Sequence, residues 1–103
     1  MFSPLFEDPP SIKIPQVNDY VVVKLIAQRS IKYYVAVILS KTDDEIMVKF
    51  MRKSLGNKFA FPASDDIASV EIFEIVEILN QPSVNNRQQY TFNFDISKYK
   101  NMC

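Results

Sequence analysis

The sequence contains no histidine, one glycine and one cysteine, which is Cys103. Without histidine, the chain lacks the side chains of Ser-His and Cys-His nucleophilic pairs and of ordinary zinc sites. A single glycine does not supply a glycine-rich loop for phosphates. The sequence therefore predicts a protein that is not an enzyme, with no catalytic residues, no metal site and no cofactor.

The lone cysteine also excludes an internal disulfide framework and favours a reducing compartment. Residues 1–6 lack the basic segment of a secretory signal, and no apolar run approaches the roughly 18 residues of a membrane span. We therefore expect an intracellular protein that makes no membrane contact.

Aromatic and β-branched residues are plentiful instead. Eight Phe and five Tyr accompany many Val and Ile residues, and such side chains suit the half-buried surface of a pleated sheet. The composition predicts an all-β protein, and the length fits one domain. The apolar runs and alternations predict a meander of strands at 20–26, 33–39, 46–51, 58–61 and 75–79, with a 3₁₀ turn near 71–73.

Three segments follow from proline content and polarity. Four prolines hold residues 1–17 as an extended arm, and residues 18–81 form the domain. Residues 82–103 are predicted to comprise a polar linker and an aromatic tail. In this tail Tyr90, Phe92 and Phe94 alternate with polar residues, which indicates either another strand or a tail docked by its rings.

Positive and negative charges balance overall but are unevenly placed. Residues 24–58 contain eight basic and three acidic side chains, whereas residues 59–95 contain six acidic residues and only Arg87 as a base. The acidic pairs Asp43–Asp44 and Asp65–Asp66 occur in predicted turns, where Asp bonds the local backbone.

The basic segment with its interleaved aromatics is the candidate binding surface, for phosphate or for an acidic peptide. Met47, Lys49 and Met51 are predicted to point outward on one sheet face. The alternative is that such lysines only maintain solubility and protect sheet edges. Tyr33 and Tyr34 are expected on opposite sheet faces, one in the core and the other exposed or half-exposed. Phe50, Phe59, Phe61 and Phe73 are expected to fill the core. The candidate binding residues are Tyr33, Tyr34, Met47, Lys49, Phe50, Met51, Arg52, Lys53 and Lys58.

Residues 19–79 resemble the Tudor-like branch of SH3-like barrels. The likeness lies in the paired aromatics that open 33–39 and in the strand 46–50. It implies a five-stranded SH3-like barrel with an extended N-terminal arm and a C-terminal strand or docked tail. Tudor domains hold methylated cations in an aromatic cage. Tyr34 and Phe50 match two cage positions, but the other two fall near Ala27 and Lys53, so the chain departs from the cage pattern.

A second resemblance is to uncharacterised barrel segments of proteins encoded by animal mobile elements. It involves residues 20–24, 32–39, 48–52, 59–62, 65–67 and 75–82, together with the tail 92–99.

Together these observations predict a non-enzymatic interaction module that binds a protein segment along a sheet edge, in chromatin or a mobile-element-derived complex, with a nuclear location. Nucleic-acid binding through the basic face of 24–58 is the first alternative. The second alternative is a structural role in which the arm or the tail docks on another copy of the chain.

Overall fold

The computed structural model describes residues 14–54, 56 and 58–103. Over these residues the chain is all-β, as predicted. Its strands form two antiparallel sheets, and short 3₁₀ turns occur at Ile72–Glu74 and Ile96–Lys98. Most of the predicted arm lies outside the described residues. The strands are β1 (Tyr20–Ala27), β2 (Ser30–Lys41), β3 (Ile46–Phe50), β4 (Arg52–Lys53), β5 (Lys58–Ala60), β6 (Ile67–Val70), β7 (Ile75–Leu79), β8 (Ser83–Val84) and β9 (Tyr90–Thr91).

The first sheet has the strand order β6-β3-β2-β1-β7. Its centre is the hairpin of β1 and β2, which are joined by the two-residue turn Gln28–Arg29, with Gln28 at a φ of 40°. Val21, Val22 and Val23 are all fully buried, so this part of β1 is covered on both faces. That double coverage explains why β1 is a continuous apolar run rather than an alternation.

The predicted strands are present, with shifted bounds, but the strand predicted at 58–61 belongs to the second sheet rather than the first, and β4, β6 and β8 were not predicted. The longest of these three is β6. Its first three residues are exposed or half-buried and only Val70 is buried, so the segment carries no apolar alternation. Two register shifts interrupt the ladders, at Leu39 of β2 and at Val76 of β7. Neither residue has a cross-strand partner at its shift, and both are 40% or more exposed.

One hydrophobic cluster fills the face of the first sheet that carries alternate residues of β1, β2 and β3. It is made mainly of aliphatic side chains, and the half-buried Leu25, Tyr34, Ala68, Ile75 and Ile78 pack against it. Its buried members are Val21, Val23, Ala36, Ile38, Ile46, Val48, Phe50 and Val70. We call it the aliphatic cluster.

The second sheet has the order β4-β5-β9-β8. The segment predicted as a linker forms its β8 strand and the turn that returns to β9. In this turn the Asn85 side-chain oxygen accepts hydrogen bonds from the backbone N–H groups of Arg87 and Gln89, at 2.9 and 3.0 Å. Polar residues in 83–89 therefore build a hairpin turn, which a polar composition alone does not distinguish from a linker.

The opposite face of the β1–β2 hairpin is covered by the second sheet and the tail. Phe92 is 2% exposed, so the tail both adds a strand, β9, and docks by its rings, as the aromatic alternation predicted. Rings contact one another throughout this cluster, including Phe59 with Phe92 at 5.9 Å and Tyr20 with Phe92 at 5.3 Å between centroids. We call it the aromatic cluster; its buried members are Val22, Val35, Met51, Phe59, Leu79 and Phe92.

Two burial predictions are wrong. Met51 was expected to point outward but is fully buried, because the chain turns after β3 into the second sheet and carries Met51 into the aromatic cluster. Phe73 was expected in the core but is 77% exposed, because the 3₁₀ turn that contains it directs its ring away from both clusters. Phe50 and Phe59 are buried as expected, and Phe61 is half-buried.

Strands β6 and β7 lie at opposite ends of the first sheet, and no hydrogen-bonded pairing joins them within the described part of the chain. No helix in that part of the chain has the length and apolar character needed to cross a bilayer.

Candidate binding surfaces

The two adjacent tyrosines of β2 serve different clusters. Tyr34 packs against the aliphatic cluster and Tyr33 against the aromatic cluster, because successive side chains of a strand point to opposite faces. Both are half-buried. The two rings face opposite sides, and one of them is half-exposed, as expected, but the prediction that the other is in the core is wrong.

Tyr34 and Phe50, the two residues at Tudor cage positions, are in contact, with ring centroids 5.3 Å apart. Phe50 is 4% exposed, so its ring does not form an open wall. The guanidinium carbon of Arg52 lies 5.2 Å from the Tyr34 centroid, and an Arg52 nitrogen lies 2.6 Å from a carboxylate oxygen of Asp66. A cation from the chain itself thus lies over the ring of Tyr34.

Lys49 is also engaged within the chain. Its ammonium lies 4.6 Å from the centroid of Phe61 and 3.3 Å from a carboxylate oxygen of Asp65. Met47 is half-buried. Of the other predicted basic residues, Lys53 is exposed and Lys58 is half-buried.

The two ion pairs lower the net positive charge of the predicted basic surface. Asp65 and Asp66 each neutralise one of its cations, so the acidic pair that the sequence assigned to a turn supplies counter-charges to Lys49 and Arg52. Exposed pairs of this kind contribute little to stability, but they leave less positive charge for a ligand. The structure does not gather the predicted binding residues into one surface.

A different arrangement appears at the edge of β2. From Ala36 onward this edge pairs with β3, but nearer the hairpin turn it receives the tail. The N–H of Tyr33 donates to the carbonyl of Asn101 at 3.3 Å, and the N–H of Cys103 donates to the carbonyl of Tyr33 at 2.9 Å. The bridge between Tyr33 and Met102 is parallel. The tail is therefore a short extended segment added to an otherwise unpaired stretch of β2.

Side chains hold the tail in place behind these bonds. The Tyr99 ring lies against Tyr33, with centroids 4.8 Å apart, and its hydroxyl donates to the Glu77 carboxylate of β7. The same carboxylate lies 3.1 Å from the Lys98 ammonium. Burial raises the pKa of Tyr99 above its ordinary value, and the hydrogen bond and charge of Glu77 raise it further. The pKa of Tyr34 is also raised, by burial and then by the neighbouring Cys103 side chain.

Between the hairpin turn and the tail lies an open cleft of about 460 Å³, which we call the hairpin–tail cleft. Three of its lining side chains are cations, namely Arg29, Lys98 and Lys100, and all three are exposed. Ile31 and Tyr33 supply its apolar and aromatic wall. No acidic residue lines this cleft in the part of the chain described, although Glu77 pairs with Lys98 at its border.

Of the residues that line this cleft, the sequence indicated Tyr33 as a candidate binding residue and Arg29 as part of the basic face of 24–58. Lys98 and Lys100 were missed because the charge count stopped at residue 95, and because the fold returns the tail to the hairpin turn. A docked tail containing two lysines was the available signal, although the sequence did not show where it docks. Within the described residues, no group of three or more Asp, Glu, His or Cys is arranged to hold a metal ion.

Comparison of the chain with protein-family models, with curated proteins and with solved structures found no match.

Proposed function

We propose that this chain is a non-enzymatic interaction module that binds an extended protein segment along the edge of β2 next to the hairpin turn. The observation that carries the proposal is the tail, which makes two main-chain hydrogen bonds with Tyr33 at this edge. An edge that accepts one extended segment offers the same donors and acceptors to another.

The geometry of β2 makes this stretch suitable for a partner. β1 occupies one edge of β2 along Ser30–Val37, and β3 pairs with the other edge only from Ala36 onward. The Val35 carbonyl accepts a hydrogen bond from the N–H of Met51 at 2.8 Å, and from Val35 toward the hairpin turn this edge is occupied by three tail residues among those described. A partner segment in this position would replace residues 101–103 and gain the backbone hydrogen bonds that these residues lose. Tyr99 would keep the preceding part of the tail against Tyr33 and Glu77.

We also propose that the first sheet is an SH3-like barrel of Tudor-like type. Four antiparallel strands run β1-β2-β3-β6, and a 3₁₀ turn at Ile72–Glu74 then leads into β7, which pairs with β1. This order supports the resemblance seen in the sequence, with the β4–β5 hairpin as an insertion between β3 and β6. The fold does not itself specify a partner.

The test uses substitutions at Cys103, whose N–H donates to Tyr33. Cys103→Pro removes this donor, whereas Cys103→Ala keeps it, so the pair separates loss of the backbone bond from loss of the thiol. Displayed random twelve-residue peptides are selected against the full chain, and the affinity of each selected peptide is measured for the three proteins. Amide chemical shifts then map where the peptides bind.

We expect selected peptides to shift the amide signal of Tyr33 and to bind the Cys103→Pro protein more tightly than the parent. One hydrogen bond contributes about 0.5–1.5 kcal/mol, so weakening the tail should raise affinity roughly two- to twelvefold. The Cys103→Ala protein should match the parent. The proposal is overturned if no peptide is enriched. It is also overturned if bound peptides leave the amide signal of Tyr33 unshifted and bind the Cys103→Pro protein no more tightly than the parent.

A further inference from the structure

The hairpin–tail cleft lies beside the β2 edge and has a charge that the edge itself lacks. We propose that this cleft recognises carboxylates of an acidic, extended protein segment, whose main chain adds to β2 while its Asp or Glu side chains meet Arg29 and Lys100. This inference rests on the proposed function, because it assigns the chemistry of the partner at the same site.

The charged side chains of the cleft are all positive among the described residues that line it. Arg29 sits in the two-residue turn between β1 and β2, while Lys98 and Lys100 come from the tail, so three cations from two distant parts of the sequence meet around one opening. Lys98 is paired with Glu77, whereas Arg29 and Lys100 form no salt bridge with another described residue. An anionic partner would supply the negative counter-charge that Arg29 and Lys100 lack among the described residues.

Apolar surface next to these cations favours a peptide over nucleic acid. Ile26 and Ile31 are cross-strand partners on the hairpin, and they are 71% and 39% exposed. Their side chains lie on the same sheet face as Tyr33, because residues two apart along a strand share a face. A peptide side chain can cover these two isoleucines, whereas a phosphate backbone offers them only polar groups.

The cleft lies next to β2 between Tyr33 and the hairpin turn. The Asn101 side chain donates to the carbonyl of Ile31 at 3.2 Å, so hydrogen bonding on this edge continues from Tyr33 toward the turn. A segment paired with Tyr33 and extended by two residues toward the turn therefore reaches the cleft. Alternate side chains of that segment would face the cations, because the side-chain period of a strand is two.

The probes are four: a ten-residue peptide that alternates valine and glutamate, its glutamine and lysine counterparts, and a twenty-nucleotide oligothymidine. The double variant Arg29→Gln with Lys100→Gln removes the two cations that lack a described acidic partner. Lys53→Gln with Lys58→Gln is the matched control, because it removes the same charge from the second sheet, away from the cleft. Binding is followed by amide chemical shifts in the full chain, at two salt concentrations.

We expect the glutamate peptide to bind the parent and the control equally and the double variant roughly three- to tenfold more weakly. The glutamine peptide should bind the parent about as weakly as the glutamate peptide binds the double variant. The lysine peptide should be weakest of all.

Other results overturn the inference in distinguishable ways. If glutamate and glutamine peptides both shift Tyr33 equally in every protein, edge addition stands and carboxylate recognition fails. If the glutamate peptide depends on Arg29 and Lys100 but never shifts Tyr33, anion recognition stands and the proposed function fails. Tighter binding of oligothymidine that weakens steeply with salt, self-association abolished by the double variant, or no binding of any probe each overturns the acidic segment as the partner.

Discussion

The two clusters that flank the β1–β2 hairpin differ in both chemistry and connectivity. Most of the aliphatic cluster lies on strands that follow one another along the chain, including Val23, Ile38 and Val48, and β7 adds Ile75 and Ile78 at its border. The aromatic cluster joins residues far apart in sequence, such as Val22 and Phe92. Local hairpins require little loop closure, whereas the second cluster forms only when the tail returns. We therefore expect the aromatic cluster to open first under stress, and the tail with it.

The largest effect is expected from Phe59→Ala, which truncates a fully buried ring of the aromatic cluster. Large-to-small changes of this kind cost about 3–5 kcal/mol, because contacts are lost and a cavity remains. Phe73→Ala is the control: its ring is 77% exposed, and the free energy of unfolding should change by less than about 0.5 kcal/mol. Urea denaturation of both proteins measures the difference; similar losses would contradict the assigned burial.

Milder substitutions should show whether the two clusters open independently of each other. Phe92→Leu, in the tail, is expected to cost about 1–2 kcal/mol and to speed amide hydrogen exchange in β8, β9 and the tail. Ile38→Val, in the aliphatic cluster, should lower the free energy of unfolding by a comparable amount, about 0.5–1.5 kcal/mol. It should leave the ratio of amide exchange rates between the tail and the hairpin unchanged. Equal acceleration of every amide by Phe92→Leu would show that the two clusters unfold as one.

The hydrogen bond between Tyr99 and Glu77 predicts a dependence on pH. The pKa of Tyr99 is higher in the folded chain than its ordinary value of 10.0, so the folded state favours the protonated phenol. Its contribution is fully present below about pH 10 and is lost as the pH rises above that value. Tyr99→Phe should cost about 1 kcal/mol at neutral pH.

The check is the difference in unfolding free energy between the parent and Tyr99→Phe across this range. The difference should shrink as the pH rises above about 10, and subtraction removes the titration of other tyrosines, among them Tyr20, whose pKa is also raised by burial. A difference that stays constant with pH would contradict the role given to this phenol.

The smallest effect is expected at Arg52, beside the aliphatic cluster. Arg52→Gln removes an exposed ion pair with Asp66 and a contact with the Tyr34 ring, which together contribute about 0.5–1 kcal/mol. Lys53→Gln, one residue along β4, should change stability by much less. Asp66→Asn combined with Arg52→Gln should cost less than the sum of the two single changes, and strict additivity would indicate that the pair is not formed.

The same contrast between the clusters explains how far the sequence could predict the fold. β1, β2, β3 and β7 are marked by apolar runs or alternation, and their positions were predicted closely. β6 was missed because only Val70 of its residues is buried. The burial of Met51 depends on the turn into the second sheet, and the alternation within β3 does not reveal that turn.

The hairpin–tail cleft was predicted less well, because it depends on long-range pairing. Tyr33 was identified, but its neighbours Lys98 and Asn101 are brought to it by the return of the tail. Lys49 and Arg52 were correctly seen as cations near aromatic rings, although nothing in their local sequence shows that Asp65 and Asp66 would pair with them. Which charges meet is decided by strand register, which a single sequence specifies only weakly.

The bonds between the tail and β2 have an evolutionary consequence. The two bonds at Tyr33 are made by main-chain atoms, and such bonds are indifferent to side-chain identity. Substitutions in either segment can accumulate without breaking them, except for proline at positions 33 and 103, where an N–H group is the donor. Diverged relatives that keep this pairing would therefore share an absence of proline at these two positions rather than identical residues.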